Sequence, residues 1–150
     1  MKLRIRLLMF FCLVSLPACA KENTEMLRII TATGKAYKFH VELAATPEQK
    51  AQGLMGREKL ARDEGMLFTF TGEKLRGFWM KNVPIPLDMI FIKHDGTIAH
   101  IHHRAKPNDE TVISSELPVN GALEIAGGLA QKLGISEGDK VEFRLFETKY

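Results

Sequence analysis

Three polar side chains, Lys81, Asn82 and Asp88, lie within an otherwise apolar stretch, residues 77–92, which also holds the only tryptophan of the chain. An ammonium, an amide and a carboxylate held close together can bind an anionic or polar group, with the carboxylate orienting the cation. This stretch is therefore the centre of the candidate site, and its chemistry is that of binding rather than of one particular reaction.

Arg57 and Glu124 are two further charged residues of the candidate site. In a functional interpretation, Arg57 joins Lys81 in holding an anionic group. In a structural interpretation, Arg57 and Glu124 form an internal ion pair, Asn82 caps a strand end, and Asp88 accepts hydrogen bonds from backbone N–H groups at a proline turn. Because buried ion pairs also arise for structural reasons, the sequence leaves both interpretations open.

Trp79 also has two interpretations. Its ring could stack on a sugar or an aromatic ligand. Its apolar neighbours Phe78, Met80 and Phe91 favour a position in the core, which is where we expect it. The full set of candidate ligand-binding residues is Arg57, Trp79, Lys81, Asn82, Asp88 and Glu124.

An enzyme is the alternative hypothesis, namely a hydrolase in which Asp88 and Glu124 act as acid and base, with or without a metal. A catalytic carboxyl pair has one raised pKa and lines an open cleft, whereas a structural carboxyl group is buried and fully hydrogen-bonded. We assign no catalytic residue from the sequence and favour a protein that is not an enzyme.

His100 and His102 stand two residues apart on an expected strand, so both rings project from one face, a spacing that metal ligands use. His103 points the other way. A third ligand, such as Glu110 or His94, would have to come from a loop. Exposed histidines on an edge strand are the simpler explanation, so we expect neither a metal nor a cofactor.

The prolines decide the local structure around the candidate site. Pro84 and Pro86 each lack an N–H and push the preceding residue towards extended geometry, which excludes a helix. We expect a strand that ends near Lys81, a stiff extended crossing, and a second, buried strand over residues 87–92.

The remaining elements are mostly short strands separated by glycine turns. A capping box at Thr46 and Gln49 predicts a helix that ends at Gly53, and a second helical turn is expected over residues 129–133. Strands are expected over residues 26–30, 36–43, 66–70, 98–103, 111–115, 122–126 and 141–145. This pattern predicts a mainly β fold, a single-domain β-sandwich or distorted barrel with two short covering helices.

The first 20 residues have the composition of a signal peptide. Lys2, Arg4 and Arg6 provide a basic start, an apolar run follows over residues 7–16, and a segment with small residues, 17–20, ends it. The apolar run is shorter than the roughly 20 residues that a spanning helix needs. We therefore predict a signal peptide over residues 1–20, a β-rich domain over residues 21–150, and no transmembrane helix in the mature protein.

Two cleavage products fit this leader. Ala18-Cys19-Ala20 suits an ordinary signal peptidase and would release a soluble periplasmic or secreted protein that begins at Lys21. Residues 16–19 resemble a lipobox, in which Cys19 would carry a lipid anchor. The proline before Ala18 departs from the usual lipobox, so we favour the soluble form.

Charge and cysteine content exclude several functions for the mature domain. The leader holds three of the 21 basic residues and none of the 18 acidic ones, which leaves the remainder net neutral and without a basic block. Nucleic-acid binding is therefore not expected. Because Cys12 and Cys19 both lie in the leader, we expect no disulfide and no thiolate chemistry in the domain.

An ordered series of four motifs resembles one bacterial and archaeal family, the domain of unknown function number one hundred and ninety-two. The resemblance covers residues 37–146, and its motifs are Gly53-Leu54-Met55-Gly56-Arg57, Gly65-Met66-Leu67-Phe68, Phe78-Trp79-Met80-Lys81-Asn82 with Pro86-Leu87-Asp88, and Leu123-Glu124 with Ala126-Gly127. Gly56 stands where the family often has a bulky apolar residue. The resemblance implies a jelly-roll-like β domain that is often exported, and it implies no activity, cofactor or catalytic residue.

The sequence thus favours an exported, non-enzymatic module. Its partner would be a small polar ligand, an envelope component or another protein, bound around Arg57, Lys81 and Asp88. The observation that decides between a site and a structural cluster is whether Arg57, Lys81, Asn82 and Asp88 meet at a solvent-open pocket.

Overall fold

Strands dominate the chain, as the alternating and wholly apolar segments predict, and the computed structural model describes residues 24–146. The predicted signal peptide and Cys19 lie outside the described residues. The elements are β1 (Thr24–Ile30), β2 (Ala36–Ala44), α1 (Pro47–Gln52), β3 (Glu64–Lys74), β4 (Gly77–Phe78), β5 (Leu87–Ile92), β6 (Ile98–Ala105), β7 (Ile113–Ser114), β8 (Val119–Ala126), α2 (Leu129–Leu133) and β9 (Lys140–Glu142).

Seven strands form one sheet in the order β6-β5-β8-β3-β2-β1-β9, and β4 and β7 form a separate small sheet. Only the β2–β3 pair, which α1 connects, is parallel among the pairs in the described residues. The large sheet curls until its two edges meet, because the Ile98 N–H donates to the Asp139 carbonyl at 2.9 Å and the Val141 N–H to the Gly96 carbonyl at 2.8 Å. The predicted mainly β fold is confirmed, in the form of a distorted barrel.

The curled sheet has an apolar cluster on each face. The inner cluster draws on strands all round the curl and includes Leu27, Val41, Leu67, Ile90 and Val141. The outer cluster lies on the other face and includes Leu54, Phe68, Met80, Met89 and Ala122. Strand β5 is buried along its whole length because it has one cluster on each side.

The small sheet and the segment around α1 cover the outer cluster. Helix α1 has the predicted capping box at Thr46 and Gln49, and Gly53 ends it, although none of its own residues is buried. Leu54, directly after the helix, is the buried contact that anchors it. Neither helix of the described residues is long and apolar enough to cross a membrane.

The central stretch differs from prediction in one respect. Its first strand, β4, covers only Gly77 and Phe78 and pairs with β7, so it ends before Trp79 and not near Lys81. The following residues leave the sheet and are held by the 106–110 loop, where the Met80 N–H donates to the Asp109 carbonyl at 2.8 Å and the Asn108 N–H to the Val83 carbonyl at 3.0 Å. The extended proline crossing and the buried strand β5 follow as expected.

Candidate functional site

A narrow cleft of about 40 Å³ opens in the layer that covers the outer cluster. Glu124 of β8 lines it, and the opposite walls come from α1 with the residues after it and from the segment after β4. The lining residues are Lys50, Ala51, Gln52, Gly53, Leu54, Met55, Phe68, Phe78, Trp79, Lys81, Val83 and Glu124. Three of the six candidate residues therefore meet here, namely Trp79, Lys81 and Glu124.

Glu124 is the chemically unusual residue of the cleft. It is 5% exposed, and its neighbours on the adjacent strands are Met66 and Met89, which cannot neutralise a charge. Its carboxyl group makes no hydrogen bond or ion pair with any described residue. Burial raises the pKa of Glu124 from 4.5 to about 8, so the carboxyl group is mainly protonated at neutral pH. The cleft thus contains an uncharged carboxyl group with both a donor and an acceptor available.

Trp79 and Lys81 form the rim of the cleft. Trp79 is 47% exposed, so the expected core position is wrong. The reason is that β4 ends at Phe78, which leaves Trp79 outside the sheet and at the edge of the covering layer. The Lys81 ammonium lies 5.2 Å from the centre of the Trp79 ring and 3.6 Å from the Glu110 carboxylate, in a pair open to solvent.

Arg57 lies outside this cleft and does not pair with Glu124. Its guanidinium holds the Glu42 carboxylate at 2.6 and 2.9 Å, in a two-point pair on the outer face beside β2. Both residues border a wide depression of about 580 Å³ on the other side of Gly53 and Met55. The functional interpretation of Arg57 as a second cation in the Lys81 site is therefore not supported, and the predicted Arg57–Glu124 pair is replaced by Arg57–Glu42.

Asn82 contributes its backbone. It adopts a left-handed conformation with φ of 54°, which asparagine tolerates better than most residues, and its carbonyl accepts the Gly56 N–H at 2.8 Å. This bond ties the segment after α1 to the central stretch and so fixes the width of the cleft. The Asn82 side chain itself does not line the cleft.

Asp88 is completely buried, and it is structural. One carboxylate oxygen accepts the N–H groups of Arg104 and Gly128 at 2.8 Å, and the other accepts the N–H of Ala130 at 2.8 Å. The carboxylate thus joins β5 to the end of β6 and to the start of α2. The expected backbone hydrogen bonds are present, but they go to these segments and not to the proline turn.

The two carboxyl groups of the hydrolase hypothesis lie on opposite faces of the sheet. Asp88 pairs across the strands with Ile125, which belongs to the inner cluster, whereas Glu124 pairs with Met89 of the outer cluster. Because neighbouring residues of a strand point to opposite faces, Asp88 and Glu124 cannot act together on one substrate. The proposed acid–base pair is thus incompatible with the geometry.

His100 and His102 line a shared depression, as their spacing predicts. The His100 ring lies parallel to Phe91 with centroids 6.0 Å apart, and its Nδ1 is 2.8 Å from a Glu137 oxygen. Burial and repulsion from His100 and His103 lower the pKa of His102. Within residues 24–146 no group of three or more His, Cys, Asp or Glu is arranged to hold a metal ion.

Sequence reasoning did not assign Gly53 and Phe68 to the site, although both belong to the motifs quoted above. Gly53 has φ of +47°, a conformation that residues with a side chain rarely adopt, so glycine allows the turn that ends α1 beside the Phe68 ring. The signal that could have identified them is their place in the first two motifs, because a glycine at a helix end can pack closely against an aromatic residue of a buried strand.

The fold and the cleft together define the class of this domain, which is a curled β-barrel with a carboxyl-containing cleft on its covered outer face. The family model described as uncharacterised ACR, domain of unknown function number 192, matches residues 28–143, and the chain belongs to that family. The match begins somewhat earlier than the motifs indicated. A comparison with curated proteins finds no significant match.

Two solved structures are similar to this chain. A candidate transcription regulator from Sinorhizobium meliloti 1021 is 47% identical with a TM-score of 0.78, covering 79% of this chain and 92% of that one. A protein of unknown function from Novosphingobium aromaticivorans DSM 12444 is 38% identical with a TM-score of 0.79, covering 86% of this chain and 91% of that one. Family and neighbours thus agree on the fold, and they provide no established activity.

Proposed function

We propose that this protein is an exported, non-enzymatic binding module that holds a small polar ligand in the cleft between Trp79, Lys81 and Glu124. The observation that carries the proposal is the unpaired, 5% exposed carboxyl group of Glu124 in the cleft. The carboxyl group lines the cleft without a protein partner, so a ligand that enters can supply its hydrogen bond in an apolar setting, where such a bond is stronger than in water.

The rim supports the same function. Trp79 offers an exposed aromatic surface, and Lys81 carries a solvent-open ammonium that can move towards a ligand. The ligand could be free or could be a substituent of an envelope polymer or a partner protein, because the cleft is only large enough for a small group.

Regulation of transcription, the description given to the Sinorhizobium protein, is not what we propose for this chain. The chain outside the leader has equal numbers of basic and acidic residues, and it lacks the basic block that phosphate contacts need. The predicted signal peptide argues for a site of action outside the cytoplasm.

The test is a screen of small sugars, amides, amines and organic acids against the protein. Trp79 is the only tryptophan, so its fluorescence reports on the cleft, and amide NMR shifts locate each hit. Hits should shift the amides of Gly53, Trp79 and Glu124, and should weaken at least fivefold in Lys81→Met or Glu124→Leu. Lys132→Met, an exposed lysine of α2, is the matched control. Hits that map only to other surfaces would contradict the proposal.

Export has its own test, the intact mass of the protein recovered from whole cells. We expect a chain that begins at Lys21. A diacylated Cys19 would establish the lipoprotein form instead. Retention of Met1 would contradict both forms of export.

A further inference from the structure

We propose that the cleft selects an uncharged group that both donates and accepts a hydrogen bond, of which a primary carboxamide is the simplest example. This inference rests on the proposed function and adds the chemical class of the ligand. It follows from three properties of the cleft, which are the state of Glu124, the position of the nearest cations and the available volume.

The carboxyl group of Glu124 faces an apolar setting. Leu54, Phe68, Phe78 and Val83 line the cleft with it, and they offer no side-chain hydrogen bond. In such surroundings a neutral carboxylic acid is cheaper to bury than a carboxylate, which agrees with its pKa of about 8. The neutral acid has one O–H donor and one carbonyl acceptor, and a carboxamide matches both at once.

The two cations of the cleft are both at its rim. The Lys81 ammonium lies over the Trp79 ring, and the Lys50 ammonium lies 4.9 Å from the centre of the Phe70 ring. Each lysine has another contact, since Lys81 also pairs with Glu110, and no ion pair joins Glu124 to either lysine within residues 24–146. A cationic ligand would be repelled by both lysines at the rim. An anionic ligand would lose its hydration on entering the cleft and would find no cation inside to pair with.

The volume of about 40 Å³ sets the size of the group that enters. A single water needs about 10–15 Å³ of such space, so the cleft has room for only a few heavy atoms. A carboxamide or an acetamido group fits this limit, whereas a whole sugar ring or an aromatic ring does not. The remainder of a larger ligand would lie outside, against Trp79.

Three probes of nearly equal size and different charge test the inference, namely acetamide, acetate and ethylammonium. Each is titrated into the full domain at pH 7 with detection by Trp79 fluorescence and amide NMR. Acetamide should bind at least fivefold more tightly than the other two and should shift the Gly53 and Glu124 amides. Tighter or equal binding of acetate or ethylammonium would overturn the inference while leaving a ligand site in place.

Variants separate the role of Glu124 from effects on folding. Glu124→Gln keeps an uncharged donor and acceptor and should bind acetamide within about threefold of the parent, whereas Glu124→Leu should lose binding. Glu137→Gln, which removes a carboxyl group outside the cleft, is the control and should leave binding unchanged. Equal acetamide binding by the parent and Glu124→Leu would overturn the inference, as would binding of none of the three probes.

A pH series provides the most specific readout. Acetamide affinity of the parent protein should fall by roughly 30-fold between pH 7 and pH 9.5, because only the protonated acid donates and its pKa is about 8. The charged groups that line the cleft with Glu124 are Lys50 and Lys81, which Glu124→Gln also contains, and the strand neighbours Met66 and Met89 carry no charge. Glu124→Gln should show no such fall, and an identical pH profile in both proteins would contradict the inference.

Discussion

Glu124 stores an energetic cost in the folded state that depends on pH. The unfolded chain loses the proton of this carboxyl group near its ordinary pKa of 4.5, whereas the folded protein keeps it until about pH 8. The folded state therefore holds more protons between these values, so Glu124 makes the free energy of unfolding fall as the pH rises from about 4.5 to about 8, and its full cost is reached above 8. A residue that weakens the fold at neutral pH without a structural hydrogen bond is better explained by a binding role than by a stabilising one.

The first prediction compares the parent protein with Glu124→Gln in urea unfolding from pH 5 to pH 9. As the pH rises, the free energy of unfolding of the variant minus that of the parent should increase by up to about 1.4 kcal/mol per pH unit. This difference should level off above about pH 8. Other titrating groups are common to both proteins and cancel in the difference. A constant difference across the range would mean that Glu124 is already ionised in the folded state.

Asp88 contrasts with Glu124, because both of its buried carboxylate oxygens accept backbone N–H groups, those of Arg104, Gly128 and Ala130. In Asp88→Asn an amide NH₂ replaces one carboxylate oxygen and faces a backbone N–H, so at least one of the three N–H groups loses its acceptor. We expect the free energy of unfolding to fall by about 3–5 kcal/mol. The control is Asp109→Asn, whose exposed carboxylate accepts the Thr111 N–H and should cost less than about 1 kcal/mol. If Asp88→Asn lowers the free energy of unfolding by no more than the control does, the structural role of Asp88 is contradicted.

At the scale of the elements, α1 is a wall of the cleft with little to hold it. No residue of the helix is buried, and its start depends on the capping box in which the Thr46 hydroxyl accepts the Gln49 N–H at 3.2 Å while the Gln49 side chain accepts the Thr46 N–H at 3.0 Å. Its end is tied through Leu54 to the outer cluster. The wall can therefore open locally while the barrel stays folded.

Thr46→Ala tests this independence. The substitution should cost about 1 kcal/mol, and the cost should appear as faster hydrogen exchange of the Lys50 and Gly53 amides, which donate to the Thr46 and Gln49 carbonyls. Exchange in β5 should be unchanged. Thr111→Ala, in the loop before β7, is the control and should leave α1 protected. Equal loss of protection in α1 and β5 would show that the helix and the barrel open together.

The elements also mark the limit of what the sequence predicts. The capping box of α1 and the apolar strand β5 depend on neighbouring residues, and both are present as predicted. The length of β4 and the position of Trp79 depend on where β7 begins, about 35 residues further on, and were not predictable from local pattern. The Arg57–Glu42 pair and the separation of Asp88 from Glu124 likewise follow from strand pairing.

At the scale of the whole molecule, the barrel depends on closing a seam between β9 and the turn before β6. Asp139 is buried and lies at this seam. Its carboxylate accepts the Ala32 N–H at 2.8 Å from the β1–β2 turn and the Ser136 N–H at 2.8 Å from its own loop, while its carbonyl accepts the Ile98 N–H. Asp139 thus joins the loop before β9 to the β1–β2 turn through its side chain and contacts the start of β6 through its backbone carbonyl, at the point where the two edges of the sheet meet.

Asp139→Ala should therefore destabilise the closure of the barrel. It leaves the Ala32 and Ser136 N–H groups without their partner in a place that water reaches poorly, and we expect a loss of about 2–4 kcal/mol in urea unfolding. The Val141 amide, which crosses the seam, should exchange faster than amides in β5. Asp95→Ala is the control for burial, because Asp95 also accepts hydrogen bonds at the seam, from Thr97 and from Lys140 of β9, but is exposed, so water can replace it at a cost of about 1 kcal/mol or less. Equal losses in the two variants would show that the buried hydrogen bonds of Asp139 contribute no more to closure than an exposed pair does.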